Sequence, residues 1–195
     1  MSKIAVLGAG GRAGRRLVAE AAGRGHEVTA FVRDPARHSF DVPARAADVT
    51  KPLGLSAYDV AISTVGDLTV DATEFYTAAS RTLLDSGAGR IVVVGLSVLL
   101  DDTVHSPDFP AEHKPFCLGH LAGLEVLRAS TGPDWVWMAP VGDFDHGGEP
   151  RGGYRFGGSQ YLPDERITYE DFALAVLDEA ETPKHHREVV SVLST

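Results

Sequence analysis

Cysteine is almost missing from this chain: one residue, Cys117, in 195. A lone thiol closes no internal disulfide, so the fold must rest on its core, and a chain of this length buries enough surface without disulfide or metal staples. The usage fits a reducing compartment, and a cytoplasmic location is expected. No leader is expected either, because apolar, strand-like sequence starts at Lys3. Long hydrophobic runs are also lacking. The longest nearly unbroken one, Ile91 to Leu100, is ten residues, about half of the roughly 20 that a spanning helix needs. No membrane span is expected.

An excess of positive charge is lacking too, the formal net charge being −9. The first 45 residues nevertheless carry eight Lys/Arg against four Asp/Glu, so the acidic excess lies wholly in the rest of the chain. Nucleic-acid binding requires many phosphates to be neutralised, which most of this surface opposes. A small anion held by the N-terminal segment is not opposed. Internal repeats, low-complexity tracts and linkers are absent, so residues 1–195 are expected to form a single domain.

What is present alternates. Ile4 to Leu7 is an apolar run ending in Gly8-Ala9-Gly10-Gly11, and Ala13 to Ala22 follows with a helical stripe of Leu17, Val18, Ala21 and Ala22. Gly23 and Gly25 stop that helix before a β-branched run, Val28 to Val32. Strand, crossover helix and strand imply a parallel sheet covered on both faces. Further strands are expected at Ala44 to Val49, Val60 to Val65, Ile91 to Val94, Trp135 to Met138 and Val189 to Leu193. Helices are expected at Ala72 to Leu84 (Phe75, Ala79, Thr82 and Leu83 inward), from Glu112 or Phe116 to Ala129, and from a Thr168 N-cap with Asp171 as capping-box acid to Glu181. Residues 142–166 read as an irregular excursion with short strands near Tyr154 and Tyr161. The pattern predicts a Rossmann-type, doubly wound α/β fold, a three-layer α/β/α sandwich.

Gly8, Gly11 and Gly14 stand at G-x-x-G-x-x-G spacing between the first strand and its helix. Such a turn needs positive φ, close approach of backbone to a pyrophosphate and tight helix packing, and the helix N-terminus then favours phosphate. At the end of the second strand, where an NAD enzyme places a carboxylate, the chain has Arg33, with Arg37 four residues on. Guanidinium forks suit an adenosine 2′-phosphate, which points to NADP. Asp34 keeps NAD as the alternative.

The segments IAVLGAGGRAG, VTAFVRDPAR, ADV, DVAISTVG, RIVVVGLSVLL, DWVWMAP and ITYEDFALAVLDE together resemble the atypical short-chain dehydrogenase/reductases of the NmrA-like group, especially their biliverdin-IXβ reductase/flavin reductase-like branch. The resemblance implies an NADPH site at the C-terminal edge of the strands. It implies that Gly8, Gly11, Arg12 and Gly14 meet the pyrophosphate, with Gly10 and Ala13 also among the cofactor-binding residues, and that Arg33 and Arg37 meet the 2′-phosphate. Asp48 and Val49 are expected beside the adenine and Val65 and Gly66 along the path to the nicotinamide, with Thr64, Ser97 and Pro140 also among the cofactor-binding residues. Ser97 matches the serine that short-chain reductases hold near nicotinamide and substrate, and His113 falls about where their tyrosine stands. The biliverdin-reducing members have a histidine after the sixth-strand proline, whereas Pro140 is followed by Val141, which counts against biliverdin.

None of the tyrosines at 58, 76, 154, 161 and 169 has lysine four residues on, so the usual Tyr-x-x-x-Lys acid is absent. Ser97 and His113 are the catalytic candidates, the first as a ligand-orienting hydroxyl at a strand end, the second as a proton donor. A loop-cap serine and an exposed helix-end histidine are the plainer readings. His113, Cys117 and His120 share a helix face, but a metal there would lack a fourth ligand. Trp135 and Trp137 read as sheet packing and His185-His186 as surface. Phe109, Phe144, Tyr154 and Phe156 suit either a planar ligand or a minor core. The expected activity is hydride transfer from NADPH to a flavin, quinone or related carbonyl acceptor, by a monomer or homodimer. The rival is a non-catalytic NADP(H) redox sensor acting through a protein partner, and a sugar-nucleotide epimerase or dehydratase is a third reading.

Overall fold

Successive residues of a strand point to opposite faces, and in β1 (Lys3–Leu7) both faces are apolar, so helices must cover both. Ile4 and Val6 enter one buried cluster and Ala5 and Leu7 another. In the computed structural model, which describes residues 1–195, β1 leads into α1 (Arg12–Gly23), β2 (Glu27–Val32), β3 (Ala44–Ala46) and β4 (Val60–Ser63). There follow α2 (Ala72–Asp85), β5 (Arg90–Val94), α3 (Lys114–Ala129), β6 (Asp134–Pro140), β7 (Asp143–Asp145), β8 (Tyr154–Phe156), β9 (Arg166–Thr168), α4 (Tyr169–Glu181) and β10 (Glu188–Ser194).

The main sheet has eight strands in the order β3-β2-β1-β4-β5-β6-β10-β8. All neighbours run parallel except β8, which pairs antiparallel with β10. This is the expected Rossmann-like α/β architecture. The chain winds outward from β1 through β2 to β3 and then returns to β1's other side as β4. Such a reversal opens a crevice beyond the carboxyl ends of the two strands, because their crossover helices lie on opposite faces.

The helices divide between the faces. Leu17, Val18 and Ala21 of α1 pack with Phe172, Val176 and Leu177 of α4 over Val6, Val28, Ile62 and Val92. On the other face Ala79 and Leu83 of α2 and Leu124 and Leu127 of α3 cover Ile91, Trp135 and Trp137. Each fully buried aliphatic contributes about 1.5–3 kcal/mol over its exposed state. Gly119 and Gly123 of α3 let α2 come close, since β-carbons there would crowd Ala72 and Tyr76. At the start of β5 the buried Arg90 pairs with the fully buried Glu179 at 2.7 Å and also with Asp134. Burial lowers the Arg90 pKa.

Several local readings needed correction. The inward face of α2 is Tyr76, Ala79, Ser80 and Leu83, with Phe75 and Thr82 only partly covered, and Ala22 is exposed on α1. No strand forms at Tyr161. Its N–H instead bonds the Asp101 carboxylate at 2.9 Å, and the excursion's pairing is β7 beside β9, parallel. Thr168 caps α4 through the Asp171 N–H, but the buried Asp171 carboxylate does not complete a capping box; it accepts the N–H groups of Arg151 and Gly152.

Candidate functional site

A cleft of about 470 Å³ lies at the reversal between β1 and β4. Its near wall is the turn between β1 and α1. Gly8 adopts φ +76°, a conformation that strains any residue with a β-carbon. Its N–H bonds the Phe31 carbonyl oxygen at 3.0 Å, which ties the turn to β2. On the other side the Thr64 hydroxyl donates to the carbonyl oxygens of Leu7 and Gly8 at 3.0 and 3.1 Å. A β-carbon on Gly14 would overlap the Gly8 carbonyl, and one on Gly10 would stand 2.6 Å from the His38 ring.

Where α2 and α4 begin with side-chain caps from Asp71 and Thr168, α1 begins at Gly11 with none, and no acid stands in its first turn. Its first amides and the positive end of its dipole therefore remain available to an anion. A glycine turn without room for β-carbons, opening an uncapped helix at a sheet reversal, fits the pyrophosphate of a dinucleotide.

The far end of the cleft is built by the segment after β2. Asp34 caps a 3-10 turn, Pro35–Arg37, by accepting the Ala36 N–H at 3.1 Å, and this presents Arg33, Arg37 and His38 to the cleft. Arg15, one turn into α1, donates to the Gly10 carbonyl and to His38 Nδ1, both at 3.2 Å. Arginine has no acceptor, so Nδ1 must be the unprotonated ring nitrogen and Nε2 carries the proton. Asp48 accepts the Thr50 hydroxyl and N–H, which hold its carboxyl below the usual range. Asp67 is treated in the same way by Thr69 and also pairs with Arg33 at 2.6 Å.

Of the residues anticipated from sequence, Gly8, Gly10, Gly11, Arg33, Arg37, Asp48, Val49, Thr64, Val65 and Gly66 line this cleft. Ala13 and the buried Gly14 stand behind the turn, in the first turn of α1. Arg12 is exposed and reaches away to His146 Nδ1 at 3.1 Å. Pro140 is buried at the end of β6. Ser97 opens a 3-10 turn beyond β5, half-buried and outside the cleft lining, and His113 is exposed at the start of α3. His120, by contrast, is buried with its ring centroid 3.6 Å from that of Tyr76, and burial pushes its pKa down to about 3. Its Nδ1, the Tyr76 hydroxyl and Trp137 Nε1 make no hydrogen bond within the protein. Phe144 stacks on Tyr169 at 4.3 Å, and Phe144, Tyr154 and Phe156 pack against the α1/α4 core, Phe109 against the other.

Sequence reasoning missed Asp67, His38 and Arg15. His38 directly follows the VRDPAR run, and Asp67 carries the Asp-x-Thr signature of a side chain that folds onto its own backbone. Both signals were local and readable, but only the fold brings Asp67 and His38 to one cleft and sets Arg15 against His38 behind it.

Comparison with known proteins agrees with this geometry. Residues 8–183 match the model of a family described as NAD(P)H-binding. The chain is 31% identical to the protein YwnB of Bacillus subtilis, with 98% of each chain covered. It is 30% identical, with a TM-score of 0.87 and both chains fully covered, to the crystal structure of a candidate NADH-flavin reductase from Streptococcus pneumoniae. A candidate epimerase from Bacteroides thetaiotaomicron is 28% identical, with 98% and 96% coverage and a TM-score of 0.83. Glycine turn, sheet reversal and family match lead to one conclusion: the chain belongs to the NAD(P)H-binding family, and NAD(P)H is its cofactor.

Proposed function

We propose that this chain is an NADPH-dependent reductase of the atypical short-chain dehydrogenase/reductase type, NmrA-like, acting on a flavin, quinone or related planar carbonyl compound. The observation that carries the reading is the cleft itself, with the glycine turn on one wall and Arg33 and Arg37 at one end. Residues 1–195 act as one domain, the cofactor held by the N-terminal half and the acceptor by loops of the C-terminal half. The description of the Streptococcus pneumoniae relative supports a flavin as acceptor.

In this reading Gly8, Gly10 and Gly11 and the first amides of α1 hold the pyrophosphate. Arg33 and Arg37 hold the 2′-phosphate, and Asp48 and Val49 flank the adenine. Bound reduced nicotinamide supplies the hydride. Thr64, by fastening the end of β4 to the turn after β1, keeps Val65 and Gly66 in place along the path from adenosine to acceptor. Ser97 orients the acceptor. Positioning and exclusion of water are what these residues contribute to rate.

The test is NADPH oxidation, followed by absorbance, against a panel of flavins, quinones and small carbonyls, beside calorimetric binding of NADPH and NADH. Turnover with a planar acceptor is expected. The missing Tyr-x-x-x-Lys and the placement of Ser97 and His113 outside the cleft favour the second reading, a redox sensor. Binding of both NADP and NADPH without oxidation by any acceptor would establish that reading instead.

A further inference from the structure

Asp34, Asp48 and Asp67 all line the cleft, but one of them alone crosses it to an arginine. Asp34 turns back to the Ala36 N–H and Asp48 to Thr50. Asp67 accepts from the Thr69 N–H and hydroxyl through Oδ1, at 2.9 and 2.6 Å, and this leaves Oδ2 aimed at Arg33 Nη1 at 2.6 Å. The two partners are unequal. The Asp67 side chain is 7% exposed and anchored, whereas that of Arg33 is 76% exposed and has no other polar partner. Such a half-solvated ion pair is weak and open to exchange, and in any exchange the carboxylate stays while the guanidinium moves.

We propose that Asp67 narrows the discrimination between the 2′-phosphorylated and unphosphorylated nicotinamide dinucleotides by competing with the 2′-phosphate for Arg33. The inference rests on the reading of this cleft as the dinucleotide site with adenosine at the Arg33 end. A 2′-phosphate engages a guanidinium best through two parallel N–H bonds, and one face of Arg33's fork is already committed to Asp67. Recruiting Arg33 means drawing it from that carboxylate or placing the phosphate's negative charge beside a fixed one. An unphosphorylated ribose requires neither, so Arg33 keeps its partner. Asp67 thus narrows the NADPH preference that Arg33 and Arg37 establish; specificity here is a difference between two affinities, lowered for one ligand by a repulsive group.

Calorimetry of NADPH and NADH with the full-length wild type, Asp67→Asn, Arg33→Ala and the double variant tests this. Asparagine keeps an oxygen for Thr69 but replaces the oxygen that accepts from Arg33 with a donor amide, so both the charge and that hydrogen bond are lost, and Asp67→Ser provides the same readout if the amide perturbs folding. The expected result is an NADPH Kd at least about threefold lower in Asp67→Asn, no tightening for NADH, and disappearance of the gain in the Arg33→Ala background, as a coupled pair requires. An unchanged NADPH Kd, equal tightening of both nucleotides, or a gain that survives without Arg33 would overturn the inference and leave the site reading intact. A wild type that binds neither nucleotide overturns both.

Discussion

Gly14 lies against the carbonyl oxygen of Gly8 so closely that a β-carbon on it would overlap that oxygen. This contact sets how near α1 begins to β1, and with it the position of the uncapped amides at the turn.

Gly14→Ala is therefore expected to weaken both NADPH and NADH more than about tenfold and to cost about 1–3 kcal/mol of stability, the usual range for overpacking. Gly23, at the far end of the same helix, faces open space, with nothing within 4 Å of where a β-carbon would stand. Gly23→Ala should bind both nucleotides as the wild type does. Equal behaviour of the two variants in calorimetry would remove the turn from the site.

Arg37 lines the cleft and its side chain is exposed, with no ion pair in the fold to lose. Its removal should be felt by the ligand alone. A charge-assisted hydrogen bond contributes about 1.5–3 kcal/mol, so Arg37→Ala should raise the NADPH Kd about tenfold or more. The NADH Kd should change less than about twofold, well under one such bond. Competition by 2′-AMP against each nucleotide reads the same difference, and loss of both affinities alike would contradict the assignment.

Loss of a true general acid costs about 10²- to 10⁴-fold in rate. Because His113 is exposed, His113→Ala is expected to leave kcat near that of the wild type, with protons drawn from water. Ser97→Ala should reduce kcat/KM about tenfold through poorer acceptor placement, the size of one lost hydrogen bond. A fall of the larger size in His113→Ala would make that histidine the proton donor after all.

The buried His120 links stability to acidity. Its folded pKa, about 3, lies below the usual value near 6.5 because burial disfavours the charged ring. Between those values the unfolded chain takes up a proton that the folded chain refuses. The contribution is thus complete above about pH 6.5 and declines on acidification at about 1.4 kcal/mol per pH unit. Urea titrations at about pH 7 and about pH 5 should show roughly 2 kcal/mol of this loss in the wild type, and His120→Gln should lack it. The same slope in both proteins would show that other groups govern the acid response.

Legibility differed between elements for physical reasons. Val28 to Val32 and Ile91 to Val94 announce buried strands because a parallel sheet covered on both faces needs unbroken apolar runs. The segment from 142 to 166 carries no such pattern, since its pairing partners are remote: β8 joins β10 across the chain and β7 joins β9. Asp171 shows the same limit in one residue. Its place three after Thr168 was a sound local signal for the cap, yet the carboxylate serves Arg151 and Gly152, twenty and nineteen residues away.

By itself the sequence determined the alternation of strand and helix, the glycine turn after the first strand and the pair of arginines after the second, because each is encoded within a few neighbouring residues. Only the tertiary structure decided that Arg33 meets Asp67, that Arg15 orients His38 and that Ser97 and His113 stand apart from the cleft. Those relations join residues more than twenty positions apart or depend on which way a loop leaves its strand. Sheet order and helix packing settle them, and spacing along the chain does not.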